Sequence, residues 1–258
     1  MWGSIIGDLA GSIYEYSQIK NIKKINIKEL IPNNSFYSDD TILTIAILDC
    51  ILNNGNYEEY LKKYIKEYSN YKPNFNPYFK SPFSPGTMKW ANTNNILGTS
   101  IGNGAMMRIS PVGYLFNTKE EVIINTYQAT SPSHNTKEAI DSATLIALII
   151  FYARKGLTKE EIIEKLKINL KYKPFEKFNI TCHETIDNCL YALFTSNSFE
   201  ESISKVISYG GDTDTNACIT GSMAEALYGI DNSLIEKASK KIPSKFIKKL
   251  ELGYKRII

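Results

Sequence analysis

Residues 210–228 read GGDTDTNACITGSMAEALY. The double glycine permits backbone conformations that other residues avoid. Asp212, Asp214 and Thr215 then fall on the first turn of a helix predicted from Asp212 to Tyr228, and Asp212 alone would suffice as its N-cap. The turn offers more oxygen atoms than a cap needs, so it is interpreted as either a cap or a metal site. The same helix carries small residues that demand close packing against a neighbour: Ala217, Gly221 and Ala224.

A second acidic cluster, Ser38-Asp39-Asp40-Thr41, lies near the start of the chain. The apolar residues that follow, from Ile42 to Leu48, predict a buried helix whose N-cap is Ser38 or Asp39. Serine followed by acids is an ordinary helix start, because carboxylates are favourable near the positive end of the helix dipole. If the two clusters meet in the fold, however, they form an oxygen-rich site for hard divalent cations, since uncompensated carboxylates at close range repel one another.

The first residues predict a helix with one bare face, because Gly3, Gly7 and Gly11 recur every four residues. Another helix can approach such a face closely. Asp8 and Glu15 are separated by about two helical turns, which places both carboxylates on similar faces. We expect these acids to point into the protein rather than into water.

Helical periodicity dominates the rest of the chain. Further helices are predicted at Tyr57–Tyr68, Lys119–Ala129, Thr136–Tyr152, Lys159–Leu170, Cys182–Thr195, Phe199–Tyr209 and Ser233–Lys241. Only residues 22–30 alternate somewhat like a strand. Residues 71–110 lack periodicity, and their aromatic residues favour a functional loop: Tyr78, Phe79, Phe83 and Trp90. The sequence therefore predicts one compact all-α domain over residues 1–258, arranged as an orthogonal helical bundle.

The composition is that of an ordinary globular protein and excludes several classes of function. Of 258 residues 43% are hydrophobic and 22% are charged, and the net charge of +3 gives no electrostatic footprint of a dedicated nucleic-acid binder. The four cysteines form no C-x-x-C pair, which argues against a zinc ribbon or a redox dithiol. The N-terminus lacks a signal-peptide pattern, and the longest apolar stretch, residues 143–153, is too short to span a bilayer. We expect a cytoplasmic protein with no membrane partner.

Between the acidic clusters, residues 100–108 read SIGNGAMMR. A Gly-Asn-Gly turn exposes successive amides that can bind a phosphate, although it can equally be an ordinary tight turn. Arg108 is either a phosphate partner or the internal partner of an acid. His134 precedes a helix, where a lone histidine is more often structural than catalytic, and His183 is interpreted as a solvent-facing or capping residue.

The chain contains no G-x-S-x-G elbow, no P-loop and no H-E-x-x-H, which leaves serine hydrolases, P-loop NTPases and zincins without support. Its ordered motifs instead resemble those of the ADP-ribosylglycohydrolase family, which includes dinitrogenase reductase-activating glycohydrolases and animal ADP-ribosyl-acceptor hydrolases. The resemblance runs in order through nearly the whole chain: Gly7-Asp8 with Glu15, Ser38-Asp39-Asp40-Thr41, Gly102-Asn103-Gly104 with Met107-Arg108, His134, and Gly211-Asp212-Thr213-Asp214-Thr215.

The resemblance implies an all-helical fold with a binuclear metal site at helix N-termini, which holds two divalent cations, Mg²⁺ or Mn²⁺. By the family pattern the metal ligands are Ser38, Asp39, Asp40, Asp212, Asp214 and Thr215. The catalytic residues are Glu15, near the scissile glycosidic carbon, and the acids Asp39, Asp40 and Asp214. The substrate-binding residues are Gly86 at the adenosine end, Ser100, Ile101, Gly102 and Asn103 at the diphosphate, and His134 beside the distal ribose.

The implied activity is hydrolysis of the N- or O-glycosidic bond between ADP-ribose and a modified acceptor. The expected partner is thus an ADP-ribosylated substrate, with nucleic acid only as one possible acceptor, and we expect a monomer. Two alternatives stay open: a non-catalytic ADP-ribose-binding or structural relative, and a hydrolase of free derivatives such as O-acetyl-ADP-ribose. Retention of Glu15 and the acidic ligands argues against the non-catalytic alternative. The chain departs from the family at Ser38, where many members have threonine, and at Ile101, where some have tyrosine.

Overall fold

The computed structural model describes residues 1–73, 81–93 and 97–257; the predicted loop aromatics Tyr78 and Phe79 lie outside these ranges. The described residues form helices and two isolated β-bridges, with no strand among them. In chain order the helices are α1 Trp2–Gly11, α2 Glu15–Gln18, α3 Asp39–Leu52, α4 Tyr57–Tyr68, α5 Pro85–Ala91, α6 Gly104–Met107, α7 Ser110–Leu115, α8 Lys119–Thr130, α9 Lys137–Arg154, α10 Lys159–Leu166, α11 Cys182–Phe194, α12 Phe199–Ser208, α13 Thr213–Tyr228, α14 Asn232–Ser239 and α15 Ser244–Tyr254. The predicted all-α fold is confirmed. Within these ranges no helix is both long and apolar enough to cross a membrane.

Helices α1 and α13 pack against each other at the centre of the fold, although they come from distant parts of the sequence. Every residue of α1 is buried, and α13 is buried from Thr213 to Ala224. Their backbones approach so closely that a methyl group placed on Gly7 would lie 2.0 Å from the carbonyl oxygen of Ala217. The glycine face predicted for the first helix is therefore the face that α13 covers.

Helix α3 packs beside α1 and carries the first acidic cluster at its N-terminus. Ser38 is its N-cap, because the hydroxyl oxygen accepts a hydrogen bond from the backbone N–H of Asp40 at 3.2 Å. The helix is buried from Asp40 to Cys50. The packing of α3 thus holds the Ser38–Thr41 cluster inside the protein.

The structure corrects several expectations about individual elements. Residues 71–110, predicted to be irregular, contain α5 and α6, and these helices of seven and four residues span too few turns to show a helical period. Residues 22–30 form no strand, and Glu15 begins the separate helix α2 instead of continuing α1. Helix α15 was not predicted, although its buried residues Phe246 and Leu250 have helical spacing.

Candidate active site

Three helices bring carboxyl groups together at one place. Asp8 projects from α1, Asp40 from the first turn of α3 and Asp214 from the first turn of α13, and each offers an oxygen within 4.8 Å of the other two. Asp214 also belongs to a second such group, with Glu15 and Asp212. The two acidic clusters of the sequence therefore meet in the fold, and together with Asp8 and Glu15 they form what we call the carboxyl cluster.

Asp40 is the residue at which the two acidic clusters touch. Its Oδ2 atom accepts a hydrogen bond from the Thr215 hydroxyl at 3.3 Å and lies 3.0 Å from the hydroxyl oxygen of Ser38, whose single hydrogen it shares with Asp8. Its Oδ1 atom is buried and has no hydrogen-bond partner among the described residues. A buried carboxylate oxygen without a donor is unfavourable, but it is well suited to a hard cation. These carboxylates and hydroxyls therefore have the donor chemistry that Mg²⁺ and Mn²⁺ prefer.

Asp8 lies in the carboxyl cluster, although the sequence did not mark it as a ligand. Its Oδ2 atom accepts hydrogen bonds from the backbone N–H groups of Ser38 at 2.9 Å and Thr41 at 3.1 Å, and from the Thr41 hydroxyl at 2.5 Å. Its Oδ1 atom accepts a hydrogen bond from the Ser38 hydroxyl at 2.8 Å. Asp8 thus ties the start of α3 to α1 and fixes the position of the first acidic cluster. The sequence feature that could have identified Asp8 is that it is an acidic residue on a helix with a face of glycines, which predicts burial.

The carboxyl cluster concentrates negative charge in a buried place. Burial and the neighbouring Asp214 raise the pKa of Asp8 to about 7, and burial raises the pKa of Asp212 to about 6. Burial and the surrounding acids also raise the pKa values of Glu15, Asp40 and Asp214 well above their usual range. Without cations several of these groups keep a proton near neutral pH, whereas bound cations would favour their ionised forms.

The metal-free protein should lose stability as the pH rises from about 4 to about 7. Asp8 and Asp212 ordinarily titrate near 3.8 but have folded pKa values of about 7 and about 6, so over this window the folded state binds more protons than the unfolded state. The free energy of unfolding therefore falls as the pH rises.

Saturating Mg²⁺ or Mn²⁺ should offset this loss. Calorimetry with cation and with EDTA should show Tm values that differ by about 5 °C or more at pH 7, and the difference should shrink toward pH 4. A difference that is the same at both pH values would contradict charge repulsion as its cause.

Asp212 is the N-cap residue of α13, and two asparagines hold it in place. Its side chain makes no capping hydrogen bond, and its Oδ2 atom accepts one from Asn103 Nδ2 at 2.7 Å. Its backbone N–H donates to Oδ1 of the buried Asn179 at 2.9 Å. Gly211 has a φ of +77°, and a methyl group there would lie 2.2 Å from the same Oδ1 atom, so this position requires glycine. Asp212 thus occupies the predicted N-cap position without making the side-chain capping hydrogen bond. Asn179 is a positioning residue that sequence reasoning missed.

A cavity of about 650 Å³ opens beside the carboxyl cluster, within the size range of small-molecule sites. Its wall includes most of the residues predicted to bind metal or substrate: Glu15, Ser38, Asp39, Gly86, Ser100, Gly102, Asn103, His134, Asp212, Asp214 and Thr215. Asp40 is buried and is not part of the wall, and the side chain of Ile101 is 46% exposed outside it. Tyr16, next to Glu15, is a wall residue that sequence reasoning missed.

The Gly-Asn-Gly segment is anchored on both sides by backbone hydrogen bonds. The Asn103 N–H donates to the carbonyl oxygen of Ile180 at 2.9 Å, and the Ser100 N–H donates to that of Ser133 at 3.3 Å. The Gly102 N–H donates to the Ser100 hydroxyl at 3.0 Å. Two amides that could have bound an anion, those of Gly102 and Asn103, are therefore engaged within the protein.

Arg108 is a buried cation in the cavity wall, with 2% of its surface exposed. Its Nη2 atom donates to the carbonyl oxygen of Ala129 at 3.3 Å and to the hydroxyl of Ser133 at 2.6 Å. Burial lowers its pKa to about 10, which still leaves the guanidinium charged at neutral pH. Among the described residues no acid forms an ion pair with Arg108, so the internal acid partner considered from the sequence is not found there.

The chain is similar to enzymes named for the removal of ADP-ribose. It is 25% identical over 169 residues to the ADP-ribosylarginine hydrolase Tri1 of Pseudomonas putida, and this match covers 59% of the chain but only 45% of that relative. It is 19% identical over 305 residues to the ADP-ribosylhydrolase ARH3 of Mus musculus, with 89% of this chain and 82% of that protein covered.

The fold is also found in a solved structure described as an ADP-ribosylglycohydrolase-related protein complex. The two share a TM-score of 0.70 at 20% identity, with 99% of this chain and 92% of that chain covered. The ADP-ribosylglycohydrolase family matches residues 1–257, which is nearly the whole sequence. On this match, and with the ordered motifs gathered around one cavity, the chain belongs to the ADP-ribosylglycohydrolase family.

Proposed function

We propose that this protein is a hydrolase that uses two divalent cations, Mg²⁺ or Mn²⁺, to cleave the N- or O-glycosidic bond between ADP-ribose and a modified acceptor. The observation that carries the proposal is the carboxyl cluster beside a cavity whose wall also contains the Gly102–Gly104 turn and His134. The relatives named as ADP-ribosylarginine hydrolase and ADP-ribosylhydrolase support this class of substrate. The product released with the acceptor would be free ADP-ribose.

The residues of the carboxyl cluster suit divalent cations in donor type and in charge. The proposed ligands are Ser38, Asp39, Asp40, Asp212, Asp214 and Thr215, and the position of Asp8 adds it to this set. The unpartnered Oδ1 atom of Asp40 supports the assignment, because no described donor satisfies it. Bound cations would neutralise the cluster and supply Lewis-acid assistance to bond cleavage.

Glu15 is the proposed acid for the departing acceptor. It begins α2, lines the cavity and is only partly buried, so a substrate can reach its carboxyl group. Burial and the neighbouring acids raise its pKa well above the usual range. Bound cations would lower this pKa, so the proposed role rests on the place of the carboxyl group in the cavity wall. From there it can exchange a proton with a leaving nitrogen or oxygen, while water supplies the new hydroxyl of ADP-ribose.

The rest of the cavity wall suits the ADP-ribosyl group. Following the family resemblance, we assign the diphosphate to the side of the cavity at residues 100–103, although the N–H groups of Ser100, Gly102 and Asn103 are engaged within the protein. We assign the distal ribose to the side of His134 and the adenosine to the neighbourhood of Gly86. Phe83 and Trp90 line the cavity and offer flat apolar surfaces to a base. Ile101 does not line the cavity, and its carbonyl oxygen accepts a hydrogen bond from the Cys182 N–H at 2.9 Å, so we assign it no contact with the substrate.

The proposed activity is tested with a panel of acceptors. The protein would be incubated with ADP-ribosylated arginine, serine and nucleic acid, and with O-acetyl-ADP-ribose, in the presence of Mg²⁺, Mn²⁺ or EDTA. We expect mass spectrometry to show cation-dependent release of ADP-ribose from at least one protein or nucleic-acid acceptor. Cation binding without release from any substrate would contradict hydrolysis, and tight ADP-ribose binding without turnover would identify a binding protein instead.

Glu15→Gln should separate catalysis from binding. Glutamine keeps the size of the side chain but cannot exchange a proton, so turnover should fall ~10²–10³-fold, within the usual contribution of acid–base catalysis. ADP-ribose affinity, measured by calorimetry, should change by less than about threefold. Glu251→Gln on the exposed side of α15 is the matched control and should leave both quantities unchanged. Parallel losses of affinity and turnover in Glu15→Gln would instead assign Glu15 to substrate binding.

A further inference from the structure

Arg108, Ser133 and His134 form a chain of contacts in the cavity wall, and the proposed function gives no role to Arg108 or Ser133. Arg108 Nη2 lies 2.6 Å from Ser133 Oγ, and this oxygen lies 2.7 Å from Nδ1 of His134. All three side chains belong to buried residues that border the cavity. A buried arginine next to a hydroxyl and an imidazole determines which atoms of these three side chains carry the hydrogen-bonding protons.

The direction of each hydrogen bond follows from the donors available. A guanidinium group has donors only, so the oxygen of Ser133 is the acceptor in its contact with Arg108. The hydroxyl oxygen can accept a second hydrogen bond, but its single hydrogen has no acceptor other than Nδ1 of His134 among the described residues, so we assign the hydroxyl as the donor to Nδ1. Nδ1 must then present its lone pair, and a neutral imidazole with this pattern carries its proton on Nε2.

The surroundings keep the imidazole neutral. Burial lowers the pKa of His134 well below its usual value, and the charge of Arg108 lowers it further. A second proton on Nδ1 would also face a hydroxyl whose hydrogen already points toward that nitrogen. Arg108 therefore favours one charge state and one tautomer of the same ring.

The Nε2 atom of His134 is directed toward the Gly-Asn-Gly turn. A methyl group placed on Gly102 would lie 3.6 Å from Nε2, and one placed on Gly104 would lie 3.5 Å from it. The backbone of His134 is fixed by its β-bridge with Thr99. An N–H group thus stands at a defined place in the cavity wall, beside the turn to which we assign the diphosphate.

We propose that Arg108 and Ser133 are positioning residues that hold His134 as its Nε2–H tautomer, so that this N–H donates to a phosphate or hydroxyl oxygen of bound ADP-ribose. The choice of ligand rests on the proposed function, whereas the tautomer does not. Arg108 then acts on the ligand through His134 and does not itself bind the phosphate.

The tautomer can be measured directly, because the chain contains only two histidines. In ¹⁵N NMR spectra of the full chain at about pH 7, we expect His134 to show a protonated Nε2 and an unprotonated Nδ1. His183, which is exposed, serves as the internal reference, and a His183→Gln variant assigns the signals. A wild-type His134 that is protonated on Nδ1, or on both nitrogens, would overturn the proposal.

Substitutions then test the roles of the positioning residues. Ser133→Ala removes the donor to Nδ1, so the two tautomers should mix and ADP-ribose affinity should fall about five- to tenfold, as expected for one hydrogen bond. Ser133→Thr keeps the hydroxyl and should have the wild-type tautomer and the wild-type ADP-ribose affinity. Arg108→Met should change the tautomer and the affinity in the same direction as Ser133→Ala.

Together, the tautomer and the ADP-ribose affinity distinguish a failure of this inference from a failure of the proposed function. Unchanged ADP-ribose affinity in a Ser133→Ala protein whose tautomer has shifted would overturn the inference alone. A wild-type protein that has the expected tautomer but binds no ADP-ribose would overturn the proposed function, and with it the choice of ligand.

Discussion

Replacing Asp214 by asparagine should abolish turnover and weaken cation binding while leaving a folded helical protein. Asp214 is the acid common to both groups of closely spaced carboxyls, and it is buried on the first turn of α13. Asparagine keeps the shape of the side chain but removes a charged oxygen from the place where the two groups meet. We expect Mn²⁺ affinity, measured by calorimetry, to fall by ~100-fold or more, beyond the typical effect of residues that only support a ligand. Turnover should fall by at least ~10³-fold, because the cations supply electrostatic assistance that protein groups do not replace.

The same substitution should not destabilise the metal-free protein. Burial and Asp212 raise the pKa of Asp214 well above its usual range, so its ionised form is unfavourable without cations. The metal-free Asp214→Asn variant should therefore have a Tm at pH 7 equal to or above that of the metal-free wild type. Asp141→Asn is the matched control, since Asp141 is exposed on α9 and pairs only at the surface with Lys137. Unchanged turnover in Asp214→Asn would contradict the proposal that Asp214 binds cations needed for catalysis.

The two faces that meet in the central helix pair could each be predicted, because the cause of each is local in the sequence, but their pairing with one another was not predicted. A glycine every fourth residue in α1 and the small residues of α13 each predict a close helix contact, and the structure pairs these two faces. The meeting of the acidic clusters was a conditional prediction, and the 3.3 Å contact between Thr215 and Asp40 fulfils it. The helix start at Ser38 was predicted for the same reason, since a capping residue and its helix are neighbours in the chain.

The contacts that escaped prediction join distant parts of the chain. Asp8 accepts hydrogen bonds from Ser38, 30 positions away, and Asn179 accepts one from Asp212, 33 positions away. A single asparagine in an irregular segment looks like any turn residue until the fold brings its partner to it. For His134 the residues alone favoured a structural role, whereas the family resemblance implied a place beside the distal ribose. The hydroxyl and guanidinium next to its ring become visible only in three dimensions.

Gly7→Ala should strongly destabilise the protein, although helix propensity predicts the opposite. Alanine in a helix is favoured over glycine by up to ~1 kcal/mol. In α1, however, the new methyl group would lie 2.0 Å from the carbonyl oxygen of Ala217 and 2.6 Å from the backbone nitrogen of Cys218. These are backbone atoms of α13, so no side-chain rotation can relieve the clash and the helices must move apart. Overpacking of this kind costs about 1–3 kcal/mol or more, which corresponds to a fall in Tm of about 5–10 °C.

Gly86→Ala is the matched control for this substitution, because it makes the same chemical change inside helix α5. Among the described residues the methyl group there would meet only Ser84 Oγ, at 3.7 Å, so Tm should stay the same or rise slightly. Separation of α1 from α13 should also move Asp8 away from Asp214, and Gly7→Ala should therefore bind Mn²⁺ more weakly even at temperatures where it is folded. Equal Tm values for the two variants would show that α1 and α13 are not in backbone contact. A destabilised Gly7→Ala protein with wild-type Mn²⁺ affinity would show that the cation site does not depend on this helix pair.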